Sequence, residues 1–196
     1  MPLSLAPFDL WPVAILSMSL LFWALENQTL KQAMIKTTVY GFGLFFAGVS
    51  WVYISIHEHG FIAAPLALAG TTLFCLFIAL IFAAPFMISA LIPNKSLSWM
   101  LGFPAIWVLS EWVRGWIFTG FPWLYVGYSH TDTWLNGWAP VGGVLWLSFV
   151  SAMGAAVIVQ LAHPERRNRQ TYGFAALVIS LGGSGYGLQQ VDWTEP

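Results

Sequence analysis

Glu111 and Arg114 stand three residues apart in "SEWVRGW" (110–116), inside an otherwise apolar run, with "GFPW" (120–123) close behind. On a helix, positions i and i+3 share a face, so the carboxylate and the guanidinium can neutralise one another. An unpaired ion at bilayer depth costs about 2.5–3.5 kcal/mol on insertion scales, so such residues are kept either as a lock between helices or for a function. The functional chemistry open to them is lipid recognition. A guanidinium at headgroup level can take a phosphate, and neighbouring rings can take an acyl chain. Phe121, Trp123, Tyr125 and Tyr128 supply those rings. Gly120 and Pro122 break the helix there, so the aromatic stretch is expected to lie along the membrane surface or to dip back into it. The candidate substrate-binding residues are therefore Glu111, Arg114, Phe121, Trp123 and Tyr125.

Other chemistry is sparse. Cys75 is the one cysteine and sits mid-segment in "TTLFCLFIAL", where the thiolate form is disfavoured by poor solvation. It reads as a packing thiol. His57 and His59 flank Glu58, and His130 could join them, but the H-E-x-x-H spacing of a metal site is missing. These read as polar loop residues at the water interface, and no metal or cofactor is expected. Neither a G-x-S-x-G nucleophile turn nor a Ser-His-carboxylate triad can be read, so no catalytic residue is assigned. "LGGSGYG" (181–187) follows no strand, which excludes a phosphate-binding glycine loop. With no basic stripe, nucleic acid is excluded as a partner.

The elements that position Glu111 and Arg114 follow from hydropathy. Of the 196 residues, 58% are hydrophobic and 8% charged, against about 25% charged in a soluble domain. The fold class is all-α and polytopic: a bundle of about six transmembrane helices with an aromatic periplasmic interfacial loop. The spans run over 8–25, 34–57, 63–92, 99–118, 139–162 and 171–189 of a single domain, 1–196. Each is near the roughly 20 residues that cross a bilayer core. Pro85 falls within the overlong third span and predicts a kink. Glu111 lies on the order of 10 Å below the outer end of the fourth, at about 1.5 Å per residue.

Basic residues set the orientation. Lys31, Lys36, Lys95, Arg166, Arg167 and Arg169 are six of the seven Lys+Arg residues, and all fall in loops on one side. That side is cytoplasmic by the positive-inside rule. Asp9, Glu58, Asp132, Asp192 and Glu195 mark the other side, and both termini are expected there. Trp11, Trp99, Trp123, Trp134, Trp138 and Trp193 fall at span ends, as in an aromatic belt. Ser148, Ala152 and Ala156, and Gly183 and Gly187, are spaced by four for close helix packing.

"APFDLWP" (6–12), "GFGLFFAGVSWVYISIHEHG" (41–60), "FPAIWVLSEWVRGWIFTGFPWLYVGYS" (103–129) and "WAPVGG" (138–143) closely resemble the membrane domain of bacterial apolipoprotein N-acyltransferases, over nearly the whole chain. The E-x-x-R-G-W…T-G-F-P-W run is the most specific of these motifs. The resemblance implies an inner-membrane location and, as substrates, a phospholipid and a diacylglyceryl lipoprotein whose N-terminal amine receives the acyl chain. It implies a thioester on a cysteine, helped by a glutamate and a lysine, in a nitrilase-like periplasmic domain between the seventh and eighth helices. None of those three maps onto this sequence, and Cys75, inside a span, is not that cysteine. The chain is expected to correspond to helices two to seven. It would then be a fragment, the product of a frameshifted gene, or the partner of a separately encoded nitrilase-like domain, and inactive alone. The other reading is a lipid- or solute-translocating or scaffold protein on the same helices, since broken helices near charges are also a transporter feature.

Overall fold

A computed structural model describes residues 1–92 and 96–193, and among these every regular element is helical. The predicted Lys95 and Glu195 lie outside the described residues. Seven α-helices follow in order: α1 (Trp11–Ala24), α2 (Leu30–Gly48), α3 (Trp51–Ile54), α4 (Ala64–Ala83), α5 (Ser96–Trp116), α6 (Ala139–Ala162) and α7 (Arg169–Leu188). Each hydrophobic segment of the sequence carries a helix, with two departures from the expected outlines. The second segment is broken: α2 ends at Gly48, and α3 runs on into a π-turn at Ser55–His59, with a 56° bend between the halves. The third changes from α to 3-10 geometry at Ala84–Leu91, with Pro85 in the first 3-10 turn. Proline lacks the N–H that an α-helix needs at that point. Among the described residues, Ala64–Leu91 and Trp134–Ala162 are long and apolar enough to cross a membrane, and the bent pair makes a third if it counts as one span.

Local signals explain the helix ends. Thr29 and Gln32 form a reciprocal capping box at the start of α2, satisfying N–H groups that a helix leaves open. Asn168 accepts from the backbone of Gln170 and Thr171 at the start of α7. At the opposite polarity, the Lys36 ammonium donates to the Ala24 carbonyl at the end of α1 (2.8 Å), as a cation should near a helix C-terminus.

Trp107 is the centre of the core. It is fully buried, and the rings of Phe22, Tyr40, Phe82 and Phe86 stand edge-on to it at 5.2–6.2 Å. Four chain segments thus meet on one indole of α5. Helix α6 packs against both α1 and α5, and α2 against α4. Ser148, Ala152 and Ala156 are all fully buried on α6. Nearby, the Ser19 hydroxyl of α1 reaches the Ala155 carbonyl. The small residues admit this approach, as their spacing predicts. Large apolar side chains such as Leu16, Leu20, Leu66 and Leu73 face outward, which suits a lipid surround rather than water.

Two expectations about single residues are corrected. Trp99 does not mark an interface: α5 begins at Ser96, so Trp99 lies within it, buried against Phe22 and Phe103. Gly183 and Gly187 make no close helix contact, because a Cβ on either would meet nothing within 4 Å. The close approach on α7 is made by Gly185 instead. The 3-10 turn at Trp134–Trp138 lies so near that a Cβ on Gly137 would stand 1.9 Å from the Gly185 carbonyl oxygen.

Gly137→Ala should therefore destabilise the bundle by on the order of 1–3 kcal/mol through overpacking. Gly183→Ala should change stability by no more than about 0.5 kcal/mol. Thermal unfolding of the detergent-solubilised protein distinguishes them. Equal effects would show that the turn yields freely.

Candidate functional site

The segment from 117 to 138 links α5 to α6, and much of it is buried. Buried backbone needs hydrogen-bond partners, and in this segment buried side chains of α5 and α6 supply several. Trp107, Glu111 and Arg114 lie at i, i+4 and i+7 on one face of α5. The Arg114 Nη1 donates to the carbonyls of both Phe121 and Trp123. The Glu111 Oε1 accepts from the Val126 N–H at 2.7 Å and from the Trp107 indole N–H at 3.0 Å. One residue on, the Gly127 N–H donates to the Ser148 hydroxyl of α6 at 2.8 Å. The segment is thus pinned at four backbone positions by three side chains.

The pair differs from its expected form. Glu111 and Arg114 are 1% and 2% exposed, and they share no direct salt bridge. The ion pairs among the described residues join Glu26 to Arg166 and His163, and His163 to Glu165. Helical spacing puts Glu111 and Arg114 on one face, but the backbone between 121 and 126 offers each a better partner. The guanidinium is turned inward to two carbonyls and lies 5.1 Å from the Phe45 ring centre and 4.9 Å from that of Tyr125. Rings at this distance stabilise a desolvated cation through their negative faces.

The chain path is held by unusual backbone as well. Phe118, Thr119 and Leu124 have positive φ, at 50°, 78° and 63°, a region that side chains occupy at a cost. Gly120, with φ of 87°, passes so close that a Cβ would stand 2.1 Å from the Gly115 carbonyl oxygen. The N–H of Phe121 then returns to the Arg114 carbonyl at 2.7 Å and closes the end of α5. Strain of this kind persists where surrounding structure over-determines it.

This path places the predicted aromatic residues in two groups. Tyr125 is buried, and its ring stacks with that of Tyr128 at 5.8 Å. Phe121 and Trp123 stack at 5.0 Å. Phe121 meets Phe74 of α4, and Trp123 meets Trp51 of α3. Phe118 is 73% exposed and Trp123 50%, with Phe118 against Phe77 of α4. Glu111, Arg114 and Tyr125 therefore form the inner support. Phe118, Phe121, Trp123 and Trp51 form an outer rim over α3 and α4.

Several participants were not legible beforehand. Ser148 had a packing role only, and Trp107 had none. His130 is corrected: it is 4% exposed and not at the water interface. Its Nε2 lies 2.7 Å from the Ser151 hydroxyl and its Nδ1 3.1 Å from that of Thr133. Burial pushes its pKa down to about 4, so the imidazole is neutral at neutral pH. Among the described residues, no three His, Cys, Asp or Glu side chains gather as a metal site. Cys75 is buried on α4. On the opposite side of the bundle, Glu26 ties the α1–α2 turn to His163 and Arg166. The position of Glu26 among basic loops was the one signal for that cluster.

The model of the apolipoprotein N-acyltransferase N-terminal domain matches residues 1–157. That range contains the whole support and rim. The chain is 42% identical to the apolipoprotein N-acyltransferase of Azotobacter vinelandii, covering 100% of this chain and 39% of that protein. It is 46% identical to the protein of that name from Pseudomonas aeruginosa, over 98% of this chain and 38% of the relative. The Vibrio cholerae protein is 36% identical over 100% and 38%. The chain thus spans about 39% of the length of the curated relatives it matches.

If Glu111 and Arg114 act mainly through the segment they pin, removing both should not repair the loss from removing one. Arg114→Met should cost on the order of 3–5 kcal/mol, as when a buried charge network is broken. The double change Glu111→Gln with Arg114→Met should recover less than about 1 kcal/mol, because the two carbonyls stay unpaired. A double-mutant cycle by thermal unfolding, with limited proteolysis of 117–138, measures this. Recovery of most of the loss would assign the pair to mutual neutralisation instead.

Proposed function

The chain belongs to the apolipoprotein N-acyltransferase family, matching its N-terminal membrane domain, and from that premise we propose that it is a membrane platform that presents a phospholipid for N-acyl transfer to a lipoprotein. The observation that carries this reading is the aromatic rim. Phe118 and Trp123 are half or more open at one end of the bundle, with Trp51 of α3 just under half open beside them, and the segment that carries Phe118 and Trp123 is fixed from beneath by Glu111, Arg114 and Ser148. Rings at that level are suited to the boundary between acyl chains and headgroups. In this reading Phe121 and Trp123 meet the lipid. Glu111, Arg114 and Tyr125 are positioning residues, and the buried guanidinium acts through the carbonyls it holds rather than on a phosphate.

The same proposal makes 1–196 a single domain of about six spans in a bacterial inner membrane. The second span is the bent α2–α3 pair. Arg166, Arg167 and Lys36 face the cytoplasm, while the rim and Glu58 face the periplasm. The nucleophile for the acyl group would come from a nitrilase-like catalytic domain outside these residues. Cys75 has no place in it, being buried between helices.

Two measurements test the reading. Phospholipid retained after purification in mild detergent, counted by mass spectrometry, should fall severalfold in Phe118→Ser with Trp123→Ser, since two of the open rings are lost. The unfolding temperature should hold. The purified chain should transfer no acyl group to a diacylated lipopeptide. Unchanged retention would remove the rim from lipid binding and favour a scaffold, and a lipopeptide heavier by one acyl group would overturn the platform reading.

Orientation is checked separately on a Cys75→Ser background. An impermeant thiol reagent applied to intact spheroplasts should label a cysteine at position 58 and spare one at 167. The reverse pattern would invert the bundle.

A further inference from the structure

A cavity of about 110 Å³ lies between α1, α6 and α7, away from the aromatic rim and sharing no residue with it. Trp11 and Ile15 of α1 line it together with Trp134 and Val178, and the Trp11 and Trp134 rings meet edge-on at 5.6 Å. Gly154 of α6 and Gly182 of α7 leave the space open by having no side chain. A Cβ on Gly154 would meet only Ile15, at 3.9 Å, and one on Gly182 only the Trp134 indole nitrogen, at 3.5 Å. The helices are not forced together here, so packing does not require glycine at either position.

The cavity has a direction. Trp11 and Ile15 are one helical turn apart, about 6 Å along the axis, and Gly182 and Val178 repeat that spacing on α7. The end nearer Trp11 and Trp134 is polar: the His130 imidazole is held between the Ser151 and Thr133 hydroxyls, and all three residues line the space. The other end, at Ile15, Gly154 and Val178, is wholly apolar. An apolar space of about 150 Å³ takes a benzene-sized guest, and at about 110 Å³ this cavity has room for a shorter stretch of chain. Ligand sites commonly combine an apolar wall with a few convergent polar groups.

We infer that this cavity is a second lipid site, which takes the upper segment of one acyl chain with its ester or carboxyl oxygens toward His130, Ser151 and Thr133. The inference rests on the bundle lying in a membrane, where the molecules able to enter an apolar slot are lipids. A single polar end beside an apolar remainder fits the head of a lone chain better than a wholly apolar ring. Its role is separate from presentation at the rim: a chain here fills the seam between α1 and α7, which the glycines leave unpacked.

The test uses the full chain in nanodiscs of phosphatidylethanolamine and phosphatidylglycerol, with photolabels located by peptide mass spectrometry. One arm carries a phospholipid with a diazirine high on one acyl chain, and the other carries palmitic acid with the same group. Label is expected on the peptides around Val150–Gly154 and Val178–Gly182, and also on Leu66 and Leu73 of α4, which face outward and report surrounding lipid. Gly154→Leu, which fills the slot, should lower label at the first two sites about threefold or more and leave α4 unchanged. Gly154→Ala should keep the unfolding temperature of the native chain, which separates filling from misfolding. Label on α4 alone, or slot label untouched by Gly154→Leu, overturns the second site and leaves the membrane reading intact. Absence of label from both overturns the two together. Capture from the phospholipid arm alone assigns the chain to a membrane lipid, and capture from the palmitate arm alone assigns it to a free fatty acid.

Discussion

Backbone that leaves a helix inside an apolar bundle must find its hydrogen-bond partners within the protein, and the architecture around the site follows from that need. Between α5 and α6 the chain turns through Phe118–Gly120 and then runs back over the bundle. Its carbonyls at 121 and 123 and its N–H groups at 126 and 127 are met by Arg114, Glu111 and Ser148. A single nitrogen of the Arg114 guanidinium, at the end of a long stem, reaches both carbonyls. The cost of burying its charge is offset by those carbonyls, by the carboxylate nearby and by the rings of Phe45 and Tyr125. Helix α5 is where these requirements meet, since Trp107 anchors both the aromatic core and, through its N–H, the Glu111 carboxylate.

The proposed function rests on the division of that segment into an inner and an outer surface. Backbone held from below frees the rings above for contact with something else, and those rings lie across α3 and α4. The break between α2 and α3 belongs to the same design: it brings Trp51 beside Trp123. The family match covers this whole arrangement, since residues 1–157 include the support, the rim and α6 as far as Val157.

How much of this could be read in the sequence depended on the range of the interaction concerned. Helix positions were legible because hydropathy is a local property, and a disturbance at Pro85 was legible because proline acts on its own turn, although it takes the form of a change to 3-10 geometry. Glu111 and Arg114 stood out because a charge in an apolar run needs a reason. Their partners were hidden, because spacing on a helix names the nearest charge and says nothing of carbonyls seven and nine residues on. Trp99 and His130 were misplaced for a related cause. Trp99 stands at a predicted span end and His130 in a predicted loop, where aromatic and polar residues usually meet water, yet the fold buries both. The glycines of α7 show the limit of motif spacing. Gly183 and Gly187 have the pattern, and Gly185 between them makes the contact.

The run of left-handed backbone at Phe118, Thr119 and Gly120, with Leu124 beyond it, bears on how such a surface can change over time. The shape of the segment is written in its main chain and in three residues beneath it, while the side chains it displays make few of those bonds. Trp123 is attached through its carbonyl, not its indole. Substitution at the displayed positions can therefore retune what the surface accepts without disturbing how it is built. Substitution at Gly120, Glu111 or Arg114 alters the build and leaves the displayed chemistry unchanged.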